Sequence, residues 1–162
     1  MSKRLTYLLR KNKGHKMLPD YQSVFLKSGF NSEDLIHIDL EKTDAIMETL
    51  RSMADRVQTE YEIVPGDHQN IESSNLLLRI YERYQDDDCY IYTCDYEYCG
   101  MYSCKANVGL KNALRIAFND RNQTSFILDT QFRYSFAIDY GDKDNRDFPN
   151  EFDVQYRTWK DR

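Results

Sequence analysis

Residues 86–108 read DDDCYIYTCDYEYCGMYSCKANV, and the organisation of the rest of the chain turns on this stretch. It opens with three aspartates, then holds five of the thirteen tyrosines and all four cysteines, with no basic residue before Lys105. The β-branched and aromatic content of 89–94 is that of a strand. Residues 101–106 read as a second strand and 95–100 as the turn between them, where Gly100 can take the positive φ such a connection needs. The expectation is a tyrosine-rich β-hairpin with acid at its entrance and its tip.

Downstream, Leu110, Ala113, Leu114 and Ala117 give 109–118 a helical stripe, closed by Asn119-Asp-Arg-Asn122. Strands follow at 124–129 and at 132–140. In the latter, Phe132, Tyr134, Phe136, Ile138 and Tyr140 alternate with Arg133, Ser135, Ala137 and Asp139. A charged loop over 141–150 leads to a last strand with Phe152, Val154 and Tyr156 on one face.

Upstream, Leu5, Leu8 and Leu9 predict a short helix over 3–12 with the leucines on one face, ending near Gly14. Pro19 suits the first turn of a second helix, with Tyr21, Val24 and Phe25 as its stripe and Gly29 as its C′ residue. Residues 31–34 form a capped turn, and the alternation of 36–40 is compatible with an extended segment. Ile46, Leu50, Met53 and Val57 predict a helix over 44–57. Residues 61–71, with Pro65-Gly66-Asp67 and His68, read as a long loop. Ser73 or Ser74 caps a helix that turns Leu77, Ile80, Tyr81 and Tyr84 inward. Helices first and strands later predict one α+β domain over 1–162. Its N-terminal helices pack on a largely antiparallel sheet, one helix is inserted between the strands, and the second sheet face is partly wet.

A length of 162 residues with 41% hydrophobic content suffices for one proper core. No run of about 18 apolar residues occurs, so no membrane span is expected. The first residues lack the apolar stretch of a secretory signal, and unpaired cysteines suit a reducing compartment, so the expected location is the cytoplasm. Residues 1–16 hold six basic side chains and no acid; set against a total of −5, this leaves −11 on the rest. An acidic body repels nucleic acid and selects cationic partners. The basic segment 1–16, an arm or a helix, reads as a solvated first helix rather than as a nucleic-acid or membrane contact.

Cys89, Cys94, Cys99 and Cys104 recur every five residues. Zinc sites use tighter knuckles, and this interval in extended chain alternates faces, so free buried thiols are expected and no metal or other cofactor. His15, His37 and His68 are dispersed, and no phosphate loop, dinucleotide glycine pattern or nucleophile elbow occurs. Asp86, Asp87, Asp88, Asp95 and Glu97 form one acidic group; Asp139, Asp142, Asp144 and Asp147 form another. Paired carboxylates can hydrolyse substrates, but no spacing selects a pair. Tyrosines with an acidic rim can instead form a docking surface. The residues expected there are Asp86, Asp87, Asp88, Asp95, Tyr96, Glu97 and Tyr98, with Asp142, Asp144 and Asp147 as a second patch.

Residues 125–140, SFILDTQFRYSFAIDY, followed by Asp144 and by 147–156, DFPNEFDVQY, resemble the C-terminal segment of small bacterial toxin-immunity proteins. The likeness is to the YxiF-like group, encoded beside secreted polymorphic toxins of Gram-positive bacteria. It implies a non-enzymatic cytoplasmic protein that binds and neutralises a cognate toxin domain, often a nuclease with a basic cleft. A carboxylate hydrolase, or a regulatory nucleic-acid-binding module using the basic arm, are the alternatives. The basic arm departs from a simple polyanion mimic.

Overall fold

A computed structural model describes residues 2–67 and 69–160 of the chain; His68 lies outside them. The chain is an α+β protein built on one seven-stranded sheet, in which every neighbouring pair is antiparallel. In chain order the strands are β1 (Ile36–Ile38), β2 (Val57–Pro65), β3 (Asp88–Tyr92), β4 (Met101–Lys105), β5 (Thr124–Asp129), β6 (Ser135–Gly141) and β7 (Glu151–Trp159). Across the sheet they run β1-β4-β3-β5-β6-β7-β2. The helices are α1 (Lys3–Lys27), α2 (Leu40–Ser52), α3 (Asn75–Tyr84), α4 (Tyr96–Cys99), α5 (Ala106–Lys111) and α6 (Ala113–Asn119).

The tyrosine-rich stretch forms neighbouring strands β3 and β4, joined by the single helical turn α4 instead of a simple reverse turn. Gly100 closes that turn at φ +76°, and a side chain there would stand 2.3 Å from the Ile38 carbonyl oxygen. Strands β5 and β7 start and end close to the positions expected. Strand β6 starts later, because Phe132 (φ +59°) sits in the tight turn after β5, where its amide donates to the Asp129 carbonyl.

Three expectations are corrected. First, the N-terminus is one 25-residue helix, not two. Gly14 is its crossing point, since a Cβ there would lie 1.8 Å from the Tyr98 carbonyl oxygen. The helix continues through Pro19 without that residue's N–H, and its buried stripe is Gly14, Tyr21 and Phe25. Leu5, Leu8 and Leu9 point the other way and are 46%, 48% and 51% exposed. Second, α2 stops at Ser52 and Val57 begins β2, so Tyr61 to Pro65 of the expected 61–71 loop are strand. Third, the 109–118 helix is two: α5 begins at Ala106, and Asn112 leaves helical geometry before α6.

The expected cap of α3 forms, Ser74 accepting the Leu77 amide; α2 starts four residues earlier than expected, where Asp39 accepts the Lys42 amide. Gly29 follows α1, the Phe30 amide reaches back to the Phe25 carbonyl, and the two rings meet 6.1 Å apart.

The two sheet faces are covered unequally. On the first, α1, α3, α5 and α6 enclose Ile91, Ile127, Phe136, Ile138, Phe152 and Val154. Tyr21 stacks on Tyr102 there, and Phe25 meets the same ring edge-on. On the second, α2 alone brings Ile46, Met47 and Leu50 over Tyr92, Met101 and Leu128. Among the described residues no helix is long and apolar enough to cross a membrane.

Candidate partner-binding surface

Strand β3 separates the acids of the tyrosine-rich stretch into two groups. Asp86, Asp87 and Asp88 lie at its start and Asp95 to Tyr98 beyond its end, about 16 Å apart for five residues of strand. The registers of β3, β5 and β6 put the loop carrying Asp142, Asp144 and Asp147 at the second of these ends. The structure therefore places the late loop and the α4 group at one end of the sheet, with the three aspartates at the other.

Several of these acids already have partners. Asp87 accepts from Arg133 at 2.8 Å, and the same guanidinium binds the wholly buried Asp129 carboxylate and lies over the Tyr84 ring. These two carboxylates hold the Arg133 guanidinium above its ordinary pKa, against the cost of burial. Asp88 pairs with Lys105 across the β3–β4 ladder, and Asp95 with Arg121. Among the described residues Asp86, Glu97, Asp142, Asp144 and Asp147 make no ion pair. The late loop is shaped by its own side chains: Asp142 accepts the Asp144 amide, and Asn145 those of Asp147 and Phe148.

Tyr96 and Tyr98 diverge. The Tyr96 ring meets Tyr92 edge-on at 5.2 Å, on the α2 side. Tyr98 lies under the Lys13 ammonium at 4.1 Å, on the α1 side. It lines a cavity of about 230 Å³ with Tyr7, Lys11, His15, His37 and Asp39. Two histidines that look dispersed in the sequence thus line one cavity, and His37 Nε2 is 2.7 Å from the Cys99 carbonyl oxygen. The basic arm is tied to the body beside this cavity, where Arg10 binds Asp44 through two nitrogens and the Glu97 carbonyl through a third.

The cysteines are not gathered. Cys89 and Cys104 face each other across β3 and β4 with sulfurs 3.8 Å apart, Cys99 is buried elsewhere, and Cys94 is exposed, contrary to the expectation of four buried thiols. The Cys104 contact and burial push the Cys89 thiol up, and burial pushes Cys99 up to about 11. Both remain protonated near neutrality, unlike the thiolates that ligate or attack.

Sequence reasoning missed the open half of the second face. Past the edge of α2 one row across the sheet reads Ile63, Asp153, Asp139 and Thr124. Beside it on β2 and β7 stand Tyr61 and Gln155, with Tyr61 and Ile63 69% and 54% exposed. Arg157 donates to Gln155 at 2.8 Å, which leaves it short of the aspartates. Asp139 and Asp153 are directly opposite each other, a like-charge cross-strand pair that is unfavourable in isolation. Burial, then the Asp153 charge, raises the Asp139 carboxyl above its ordinary pKa, and Arg157 only partly opposes this. The strand alternation around Asp139 was visible in the sequence; its pairing with Asp153 needed the β6–β7 register.

No protein-family model matches the chain, and no curated protein or solved structure matches it.

Proposed function

We propose that the chain is an immunity protein that binds a cognate bacterial toxin domain, most readily a nuclease with a basic cleft, and blocks it without catalysing a reaction. One observation carries the reading: the opposed pair Asp139 and Asp153 on a sheet face with exposed Tyr61 and Ile63. Two juxtaposed carboxylates are a standing cost in the free protein, and a lysine or arginine brought between them relieves it. The unpaired acids of the late loop stand at the same end of the sheet and extend the negative field. Such a field steers a cationic partner, and the aromatic and aliphatic side chains supply contact area. The resemblance of residues 125–156 to toxin-immunity proteins agrees with this reading.

The test is co-expression with the toxin domain encoded beside this chain, which should restore growth. The double variant Asp139→Asn with Asp153→Asn should fold at least as stably as the parent yet protect poorly, with affinity weakened roughly tenfold or more. Failure to bind the neighbouring toxin, or full protection by the double variant, overturns the reading.

A further inference from the structure

The two edges of the sheet differ. β1 presents only three residues, whereas β2 presents nine. At the ends of the β2–β7 ladder the Lys160 amide donates to the Arg56 carbonyl at 3.0 Å and the Gly66 amide to that of Asn150 at 2.8 Å. Alternate residues of an antiparallel pair bond inward, so even-numbered positions face β7 and odd-numbered ones turn their backbone groups outward. The amides of Thr59, Tyr61 and Ile63 therefore point away from the sheet, and Pro65 ends the row. Natural edges are usually blunted by lysine, central proline, a bulge or brevity. Between Val57 and Val64 this one has no lysine, proline or bulge, and its charges are Glu60 and Glu62.

We propose that the β2 edge takes an extended segment of the partner as an eighth strand, with lysine or arginine on one face and apolar residues on the other. The inference rests on the proposed function, in which the partner is the toxin domain. The apolar side of the added strand meets Val57, Tyr61 and Ile63; the basic side meets Glu60 and Glu62. Glu62 is held in place because it accepts from the Ser74 hydroxyl and the Asn75 amide, and Glu60 by Arg79. The same acids disfavour a second copy of this chain. Any two-fold pairing centred on residues 60 to 62 sets one of these glutamates against a glutamate of the other copy, and like charges directly opposite are destabilising. The late acidic loop stands at the Pro65 end of this strand, where Asn150 accepts the Gly66 amide from the β7 side.

Thr59→Pro removes one outward amide at a position where an edge strand tolerates proline; Thr59→Ala loses only the side chain. With the neighbouring toxin domain, the proline variant should bind roughly tenfold or more weakly than the alanine variant. In the parent, the amides of Thr59, Tyr61 and Ile63 should become protected from hydrogen exchange on binding, a readout that stands even if the proline variant unfolds. If the toxin binds but these amides stay unprotected, the edge proposal is overturned and the proposed function survives. If the toxin does not bind, the proposed function fails. A short peptide alternating lysine and valine then decides the edge. Protection of the three amides by this peptide, but not by its glutamate-for-lysine counterpart, upholds the proposal; no protection, or equal protection by both, overturns it.

Discussion

The two faces of this sheet share the same seven strands and are put to different use. Under four helices, Phe136, Phe152, Ile91 and Ile127 lose all or nearly all contact with water. Under α2 alone, the second face keeps a dry patch around Met101 and Leu128 and leaves Tyr61, Ile63, Asp139 and Asp153 in or near solvent. Apolar burial supplies most of the stability of a domain, so the first face carries the fold. The second can then keep an opposed pair of carboxylates that a close-packed core would not tolerate. Unequal cover lets one sheet hold itself together on one side and stay unsatisfied on the other.

This contrast can be broken by experiment. Phe152→Ala empties a fully enclosed site and should cost about 3–5 kcal/mol in urea unfolding, whereas Met47→Ala on α2 should cost roughly 1 kcal/mol. Equal losses would refute the asymmetry. Arg133→Met leaves Asp129 buried without its counter-ion and should cost about 3 kcal/mol. Loss of the Asp87 contact is the smaller part of that, and Asp87→Asn should show it by a much smaller change. The finest test is Asp139→Asn. A carboxyl whose folded pKa is raised binds its proton more readily folded than unfolded, so its charged form opposes folding above that pKa. The amide should therefore stabilise the protein slightly at neutral pH. That gain should fade as the pH falls through the folded pKa of Asp139, somewhat above the ordinary carboxylate value. A gain independent of pH would remove the Asp139–Asp153 repulsion as its cause.

The elements that read correctly from the sequence are those whose signal is local. β7 alternates, β5 carries Thr124, Phe126 and Ile127 in a short run between turn residues, and α3 announces itself by Ser74 and by Leu77, Ile80 and Tyr84. The failures come from residues whose meaning depends on a distant neighbour. Gly14 looks like a helix stop until Tyr98 is placed against it, 84 positions later. β2 hides because only Val64 of its nine residues is buried, and its apolar residues Tyr61 and Ile63 face outward. The acidic residues of the candidate surface were legible as types. Which of them are already neutralised depended on Lys105, Arg121 and Arg133, brought in by other strands and turns.

The strand order also fixes a timetable. Among the described residues both edges of the sheet come from the first 65 positions, while β7, the one strand that neighbours β2, is the latest to be made. A chain leaving the ribosome must carry Val57 to Pro65 without its strand partner through the synthesis of some 85 further residues, at about 5–20 residues per second. Closure across so long a separation is slow, and throughout that interval both margins of β2 are bare. The nascent protein thus passes several seconds with a strand open on two sides, and a chain arrested before Glu151 never leaves that condition.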